Sequence, residues 1–499
     1  MAVARARAAT DAGETSDTRA LRNYVAGAWR EPEAGGWLED RDPATGQALA
    51  RVPLSTAAEV DRAVRAVRDA QPAWAAVPPQ RRARAVMALR DRLVSHRDEL
   101  ARLVTDDMGK TLTEARGEVG RGIESVEAAL AVPHLLKGES LEGVATGVDA
   151  AQIRQPVGVV AAITPFNFPA MIPLWFLPFA LATGNGIVLK PSERDPVPAS
   201  FIFELLDGIE EIPAGIAALV HGAREAVDAL LTHPGVDAIS FVGQAATARH
   251  VAETATRAGK RVQALGGAKN SMIVMPDADL ALAVPAMLAS AFGSAGQRCL
   301  AGSVAVLVGE GARRAQVRER LVEAAAGMRV GAGGDPATDV PPVIAPEARE
   351  RVAEAIARAE ADGARVDLDG RGEISTAGTA MGPTIVVAPH RESEIAREEL
   401  FGPLLTVVEA DDLDDALAFV NGSRYGNAAA IFTGSGAAAR HFRDRVEAGM
   451  VGVNVGVAAP VAWFPFAGWK DSFIGDLHAN GADAIEFYTR KKVITSRWE

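Results

Sequence analysis

The residue best suited to nucleophilic chemistry in this sequence is Cys299, the single cysteine among 499 residues. It lies in the segment 292–302, FGSAGQRCLAG, whose glycine and serine residues let the backbone approach a ligand closely. The apolar residues 277–291 predict a buried helix before it, and 303–308 (SVAVLV) predict a strand after it. A thiolate in such a turn can attack a carbonyl carbon. The alternative is an inert cysteine that packs as a small apolar side chain.

Other polar residues of chemical interest follow predicted strands. Asn167 lies in ITPFNFP (163–169), where a side-chain amide can donate to a developing oxyanion. Lys190 and Glu193, in LKPSE, are three residues apart and can both reach one ribose. The segment FVGQ (241–244) ends a strand and opens a helix, so its free amide groups can face a pyrophosphate. Each of these motifs, taken alone, also fits an ordinary turn or a solvated loop.

The elements that must position these residues alternate from residue 155 onwards. Strands are predicted over 157–163, 186–190 and 238–242, and apolar helices between them over 171–183, 198–206 and 223–232. This alternation predicts a parallel doubly wound sheet, whose ligands bind at the carboxyl ends of the strands. A second alternating region runs from 271 to about 434. No GxGxxG motif occurs, so a dinucleotide would have to bind by other means.

The first part of the chain shows a different pattern, in which predicted strands are followed by predicted helices. Residues 23–37 predict the strands of a small antiparallel unit, and helical spacing follows over 57–70, 80–107 and 112–131. The sequence GKT at 109–111 looks like the end of a phosphate-binding loop, but Val104 stands where that motif needs glycine. We therefore predict no such loop. At the other end, KKVITSR (491–497) predicts an exposed strand that can pair with another subunit.

Composition narrows the classes of protein. The chain is 48% hydrophobic and 23% charged with a net charge of −12 and no basic run, which argues against nucleic-acid binding. Its length predicts two or three packed units. The apolar stretch 168–182 is interrupted by Pro169, Pro173 and Pro178, so no membrane span is expected. One cysteine cannot form an intramolecular disulfide, which suits a cytoplasmic protein, and no metal site is expected. Residues 1–22 predict a mobile tail, with an organellar transit peptide as the alternative.

Together with QALGGAKN (263–270) and EELFGP (398–403), the segments around Asn167, Glu193, Gly243 and Cys299 resemble the aldehyde dehydrogenase superfamily in order and spacing, from about residue 23 to 499. The resemblance implies an α/β fold of two doubly wound α/β domains plus a small antiparallel β oligomerisation domain. It implies that Cys299 forms a thiohemiacetal, with Asn167 and the Cys299 backbone amide as the oxyanion hole. It also implies NAD as cofactor, because the acidic Glu193 repels the 2′-phosphate of NADP. The residues implied to bind NAD are Thr164, Pro165, Phe166, Lys190, Glu193, Gly243, Gln244, Leu265, Glu399 and Phe401.

One departure from the superfamily pattern concerns the acyl acceptor. Hydrolytic members carry a glutamate just before Leu-Gly-Gly that activates water, and here Ala264 takes that position and cannot accept a proton. A thiol such as coenzyme A is then the expected acceptor. The segments 117–124, 263–270, 296–299 and 487–498 resemble the CoA-acylating methylmalonate-semialdehyde dehydrogenase branch. That resemblance implies that Arg121 and Arg298 hold a substrate carboxylate, for which a guanidinium offers a bidentate fork. For Arg121 the alternative is an exposed helix charge, and Arg298 is also expected to lower the pKa of the thiol.

The expected activity is the NAD-dependent oxidation of a small carboxylated semialdehyde with acyl transfer to CoA. Methylmalonate semialdehyde would give propanoyl-CoA, and malonate semialdehyde would give acetyl-CoA. The alternatives are a CoA-independent aldehyde dehydrogenase that releases a free acid, and a catalytically silent member that serves as a binding protein. The resemblance implies a homotetramer built as a dimer of dimers. The expected units are an NAD-binding domain (23–135 and 156–265), a catalytic domain (266–455) and an oligomerisation element (136–155 and 480–499).

Overall fold

The computed structural model describes residues 18–33, 35–372, 375 and 377–498. The helices are α1 (Ala57–Ala75), α2 (Pro79–Ser95), α3 (Arg97–Met108), α4 (Leu112–Ala129), α5 (Val132–Leu135), α6 (Met171–Thr183), α7 (Val197–Leu206), α8 (Arg224–Thr232), α9 (Ala245–Arg257), α10 (Leu280–Phe292), α11 (Gly311–Ala326), α12 (Pro346–Ala361), α13 (Glu394–Arg397), α14 (Leu413–Asn421), α15 (Gly436–Arg445) and α16 (Gly481–Tyr488). The strands are β1 (Asn23–Val25), β2 (Ala28–Arg30), β3 (Trp37–Arg41), β4 (Ala48–Pro53), β5 (Glu139–Ala145), β6 (Val148–Pro156), β7 (Val159–Ile163), β8 (Gly186–Lys190), β9 (Ala217–Leu219), β10 (Ala238–Val242), β11 (Arg261–Leu265), β12 (Asn270–Val274), β13 (Gly302–Val308), β14 (Arg365–Leu368), β15 (Thr384–Val387), β16 (Leu404–Ala410), β17 (Tyr425–Gly426), β18 (Ala428–Phe432), β19 (Met450–Val453), β20 (Trp469–Lys470), β21 (Phe473–Ile474) and β22 (Thr489–Arg497).

The first large sheet has the strand order β2-β1-β9-β8-β7-β10-β11-β21, and its strands from β9 to β11 run parallel. Its central strands β7 and β8 are buried on both faces, because apolar helices cover them. Helix α6 is one of these helices, and every one of its residues is buried. The prediction of a parallel doubly wound sheet is therefore confirmed for this region.

The second large sheet has the order β14-β15-β16-β13-β12-β18-β19, with all pairs parallel except β14 with β15. Helix α10, which precedes the thiol turn, packs its apolar side on this sheet. A third sheet is antiparallel, in the order β22-β6-β5, and its strand β22 contains the predicted exposed segment near the end of the chain. Mixed α/β architecture with a small antiparallel sheet is thus what the sequence predicted.

Three expectations about the N-terminal part need correction. The hairpin β1–β2 is no separate unit, since Tyr24 pairs with Leu219 and joins it to the edge of the first sheet. The predicted helix over 80–107 is two helices, because His96 leaves the helical region (φ −112°) and its ring nitrogen contacts the Arg92 carbonyl. Of the predicted tail, 1–17 lie outside the described residues. Leu21, however, is buried and its amide donates to the Arg51 carbonyl, so the folded chain begins before residue 22.

Among the described residues, no helix is both long enough and apolar enough to cross a membrane.

Candidate active site

The turn that carries Cys299 has an unusual backbone. After α10 ends at Phe292, a short 3₁₀ segment, Gly293–Gly296, follows, in which Ser294 and Ala295 both adopt φ 52°. Left-handed conformations at residues other than glycine cost free energy and persist only where surrounding contacts enforce them. Such strain is concentrated at functional sites, and here it immediately precedes the thiol.

Two amide side chains fix the backbone of Cys299 itself. The Nδ2 atoms of Asn270 and Asn427 both donate to the Cys299 carbonyl, at 2.9 and 2.8 Å. Asn270 lies at the start of β12 and Asn427 just before β18, so both come from strands of the second sheet. The carbonyl is thereby turned toward the sheet, and the amides of Cys299 and Leu300 are left to act on the thiol.

Asn167 lies next to the same turn. Its side chain is buried, and its Nδ2 donates to the carbonyl of Gln297, 3.1 Å away and two residues before the thiol. A primary amide carries two N–H groups, so the second one stays available for a ligand oxygen. The structure therefore brings together Asn167 and Cys299, which are 132 positions apart in the chain.

The sequence analysis did not identify a buried ion pair, Lys110 with Glu118, that contacts the backbone of the Asn167 turn. The Nζ of Lys110 lies 2.6 Å from Glu118 Oε2 and 2.7 Å from the Asn167 carbonyl, and both side chains are buried. Glu118 Oε1 accepts from the amides of Ala170 and Met171, at the start of α6. Lys110 stood in the rejected GKT motif; the available signal for the pair was the helical spacing of charges along α4, at Glu114, Glu118 and Arg121.

The thiol opens into a cavity of about 290 Å³ between α4, α6 and the loop before α16. Apolar side chains form part of its wall, including Phe168, Trp175 and Phe466. Its charged lining is dense and consists of Lys110, Glu114, Glu118, Arg121, Glu124 and Arg298. An oxidisable aldehyde that carries a carboxylate matches this combination of apolar wall and fixed cations.

Both arginines that the resemblance implied therefore line the thiol cavity, with different degrees of restraint. Arg298 Nη2 lies 2.5 Å from Glu114 Oε1. Arg121 donates to the Pro460 carbonyl through Nη2 and lies 3.2 Å from Glu124 through Nη1. The interpretation of Arg121 as a merely exposed helix charge does not fit, because its guanidinium bridges α4 to the loop that closes the cavity.

The protonation of the thiol differs from expectation. Burial, and next to it the negative charge of Glu399, raises the pKa of Cys299 to about 12. Backbone amides and the Arg298 charge act in the opposite direction but are outweighed. Arg298 does lower the pKa of the thiol, as predicted, but desolvation of the half-buried thiol has the larger effect, so the net shift is upward.

Ala264, which stands just before Leu265-Gly266-Gly267, is fully buried. Side chains alternate along β11, and Ala264 belongs to the apolar cluster that contains Val251 and Phe241. Leu265, on the other face, belongs to a second apolar cluster, against which Cys299 packs. Neither side chain can accept a proton.

The remaining predicted residues gather where the strands of the first sheet end. Thr164 follows β7, and its buried Oγ1 has no hydrogen-bond partner among the described residues. Lys190 Nζ lies 3.0 Å from Glu193 Oε2 at the end of β8. Burial opposes the charged form of Glu193, but the Lys190 charge and local hydrogen bonds bring its pKa below the ordinary value. The carboxylate is therefore ionised at neutral pH.

Gly243 and Gln244 lead from β10 into α9. A Cβ at Gly243 would lie 2.5 Å from the Phe241 ring, so only glycine fits there without displacing that ring. Gln244 is the N-cap of α9 but makes no capping hydrogen bond with its side chain, which leaves the first amides of the helix available. An uncapped helix start beside an unpartnered hydroxyl fits the phosphate and ribose groups of a dinucleotide.

Two more of the residues predicted to bind the cofactor, Glu399 and Phe401, lie just before β16 of the second sheet. Glu399 accepts from the Ala268 amide at 2.8 Å, and burial raises its pKa to about 7. Phe401 adopts φ 53°, and its ring lies edge-on to Phe166, 5.8 Å between centroids. Pro165 precedes Phe166 in the same loop. The contact between Phe166 and Phe401 thus joins the loop after β7 of the first sheet to the loop before β16 of the second sheet, and the predicted cofactor residues lie on both sides of it.

Comparison with known proteins decides the family. Residues 29–494 match the model of the family described as "Aldehyde dehydrogenase family". The chain belongs to the aldehyde dehydrogenase family. Malonate-semialdehyde dehydrogenase 1 of Geobacillus kaustophilus is 49% identical to this aldehyde dehydrogenase over 97% of the chain and 99% of the relative. Malonate-semialdehyde dehydrogenase of Halalkalibacterium halodurans is 46% identical over 96% and 98%.

Solved structures of similar sequence also belong to this family. The methylmalonate-semialdehyde dehydrogenase of Oceanimonas doudoroffii superimposes with a TM-score of 0.94 at 42% identity, covering 97% of this chain and 99% of that one. A protein of Sinorhizobium meliloti, provisionally named methylmalonate-semialdehyde dehydrogenase and solved with NAD, superimposes with a TM-score of 0.95 at 43% identity over the same shares. The fold predicted from the sequence is therefore confirmed as that of an aldehyde dehydrogenase.

Proposed function

We propose that this aldehyde dehydrogenase oxidises malonate semialdehyde, methylmalonate semialdehyde or both, with NAD as oxidant and CoA as acyl acceptor. The observation that carries the proposal is the cavity in which one thiol and two guanidinium groups, Arg121 and Arg298, line the same small space. The names of the relatives point to the same two substrates. Uncharged aldehydes would leave both cations without a ligand.

Substrate binding and bond formation follow from the positions of the side chains. The arginines hold the carboxylate, and the aldehyde carbon comes to Sγ of Cys299. When the sulfur attacks, the carbonyl oxygen gains negative charge, which the free N–H of Asn167 and the Cys299 amide stabilise. Lys110 keeps Asn167 in place through its carbonyl. Burial keeps the pKa of the unliganded thiol high, so Sγ has to lose its proton to water as it attacks the aldehyde carbon.

NAD bound along the edge between the two sheets would supply the hydride acceptor for oxidation of the adduct on Cys299 to a thioester. We propose that Lys190 and Glu193 bind its adenosine ribose, that Gly243 and Gln244 face its pyrophosphate, and that Glu399 and Phe401 hold the nicotinamide end. Thr164, Pro165, Phe166 and Leu265 complete the contact surface. An ionised Glu193 disfavours the 2′-phosphate of NADP, so NAD is the preferred form.

The acyl acceptor is proposed to be CoA because the residue just before Leu-Gly-Gly, at the end of β11, is the apolar Ala264. Without a carboxylate there, water attack on the thioester lacks a general base, which is worth roughly 10²–10⁴-fold in rate. The CoA sulfur attacks the thioester carbon and Cys299 Sγ leaves with a proton. The carboxylate leaves as carbon dioxide, and the α carbon keeps the electron pair and takes a proton from water. The product is acetyl-CoA from malonate semialdehyde, or propanoyl-CoA from the methyl-substituted substrate.

The decisive experiment follows NADH release with and without CoA. Without CoA, the wild type should release one NADH per Cys299 and then stall; with CoA it should turn over repeatedly and give an acyl-CoA by mass spectrometry. Cys299→Ala should release none while NAD affinity stays within a few-fold. Full turnover to a free acid without CoA would favour the hydrolytic alternative, with the base still to be identified.

We further propose a homotetramer formed as a dimer of dimers and a cytoplasmic location. The proposed domains are 23–135 with 156–265, 266–455, and 136–155 with 480–499. The exposed residues of β5 and β22, such as Leu141 and Val493, support pairing of the third sheet with another subunit. Gel filtration with light scattering measures the mass directly, and Val493→Lys should reduce it if this edge is the contact.

A further inference from the structure

Arg298 lies in a seat formed by two residues that the proposed function does not use. Its Nη2 lies 2.5 Å from Glu114 Oε1. On the other side, the guanidinium lies directly against the backbone of Gly293, where an added Cβ would be 1.7 Å from Nη2. Gly293 has φ −57°, a conformation that any residue adopts, so its glycine is required by this close approach rather than by the backbone.

Glu114 is itself held rigidly. Its Oε2 accepts from the amide and hydroxyl of Thr111 in a capping box at the start of α4, at 3.1 and 3.0 Å. Its Oε1 accepts from the Ser294 amide at 2.7 Å as well as from Arg298. The carboxylate therefore joins the start of α4 to the strained turn before Cys299. A salt bridge to such a fixed group restrains the guanidinium far more than a solvated partner would.

The rest of the guanidinium is open to the cavity. Nη1 and Nε of Arg298 make no hydrogen bond to the described residues, and the side chain lines the cavity beside the thiol. Nη1 carries two N–H groups and Nε carries one, and none of these is used by the single bond from Nη2 to Glu114. One N–H therefore anchors the group, and others are left for a ligand carboxylate.

We propose that Gly293 and Glu114 are positioning residues that make the thiol site selective for anionic substrates, because they fix the guanidinium of Arg298 beside Cys299. The inference rests on the proposed function for the identity of the substrate. Its physical content, recognition of a carboxylate next to the thiol, does not depend on NAD, CoA or any particular aldehyde.

Alkylation of Cys299 tests this content directly. Iodoacetate and iodoacetamide are nearly the same size and differ in charge, and Cys299 is the single cysteine of the chain, so labelling reports one site. Since both reagents attack the same thiol, its thiolate fraction cancels in the ratio of their rates. The wild type should show a higher iodoacetate-to-iodoacetamide ratio than free N-acetylcysteine.

Gly293→Ala displaces the guanidinium but keeps every charge, and we expect it to lower that ratio about tenfold. Glu114→Asp keeps the charge but withdraws it by one methylene, and it should lower the ratio by a smaller factor. Gly436→Ala is the matched control, since a Cβ there meets nothing within 4 Å. In steady state, the KM for malonate semialdehyde should rise in Gly293→Ala while that for propanal stays unchanged.

Equal slowing of both reagents in Gly293→Ala would mean a purely structural role and would overturn the proposal, as would an unchanged ratio. A wild-type ratio no higher than that of N-acetylcysteine would do the same. If Gly293→Ala does not fold, Glu114→Asp decides. Should the wild type oxidise no semialdehyde but keep a ratio that falls in both variants, the proposed function fails and the anion seat stands.

Discussion

Two groups of charged side chains are buried near the start of α4, and they are neutralised in different ways. Lys110 and Glu118 form an ion pair in which each partner also bonds to the backbone around Asn167. Asp40, Asp107 and Asp195 form a second group. The Val197 amide donates to Asp107 at 2.9 Å, Asp40 and Asp107 share a hydrogen bond, and no cationic side chain forms an ion pair with any of the three among the described residues.

The difference shows what a buried charge needs. In the first group, an opposite charge and backbone groups replace water around each side chain, and the pair positions the Asn167 turn. In the second, burial and mutual repulsion raise the pKa values of all three carboxyl groups, that of Asp40 to about 7. Protons take the place of the missing cation. The first group is suited to holding geometry and the second responds to pH.

The largest effect is expected from removing one partner of the ion pair. Glu118→Leu leaves the Lys110 ammonium buried without its counter-charge, which costs about 3–5 kcal/mol of unfolding free energy. Denaturant unfolding measures this loss, and kcat should fall in parallel because Asn167 loses its support. The double variant Lys110→Met with Glu118→Leu should recover much of the stability but not the activity. If Glu118→Leu alone is as stable as the wild type, the pair is not the support that we describe.

The next largest effect is expected on kcat/KM, from removing the charge of Arg298, which lines the cavity and does not lie in the core. Arg298→Gln removes a charged donor to the substrate carboxylate, worth about 1.5–3 kcal/mol, so kcat/KM for malonate semialdehyde should fall about 10–100-fold. Propanal, which has no carboxylate, should lose little. Arg121→Gln is the companion variant. A loss of the same size for both aldehydes would assign Arg298 to the fold and not to recognition.

The acidic group should behave in the opposite way to the ion pair. A carboxyl group whose pKa is raised on folding contributes stability below about pH 4 and loses it as pH rises through the folded value, about 7 for Asp40. Asp195→Asn should therefore stabilise the protein by about 1–3 kcal/mol at pH 8 and by less at pH 5.

Thermal unfolding at several pH values, with the exposed Asp69→Asn as control, measures this difference. A variant less stable than the wild type at pH 8 would show that a cation, and not protons, neutralises the three carboxylates. Either result shows whether the three carboxyl groups are neutralised differently from the ion pair of Lys110 and Glu118.

The smallest effect is expected at a surface pair between the same helices. Arg116 Nε lies 2.9 Å from Asp98 Oδ1, joining α4 to α3, and both side chains are well exposed. Because water screens such pairs, Asp98→Asn should change the unfolding free energy by less than about 1 kcal/mol and leave kcat unchanged. A loss as large as that of Glu118→Leu would mean that burial is not what separates the two kinds of pair.

Much of the fold was predictable because its signals are local. The apolar runs of β7 and β8 and the alternation of strands with helices indicate a parallel sheet without reference to distant residues. The resemblance identified the thiol and the arginines that line its cavity. Contacts between distant segments, by contrast, have no local signal: nothing near Lys110 or Arg298 in the sequence indicates that Lys110 supports the Asn167 carbonyl or that Arg298 lies against Gly293.

The sequence by itself determined the α/β class and the family, and it predicts Cys299 as the reactive residue, because Cys299 is the single cysteine and its flanking motifs are contiguous. Only the tertiary structure decided how that residue is held. The pair of Lys110 with Glu118 under Asn167, the seat of Arg298 on Gly293 and the high pKa of the thiol all depend on distances between separate segments and on exclusion of water. Side-chain identity states which groups ionise; the folded surroundings determine the pKa at which each one does.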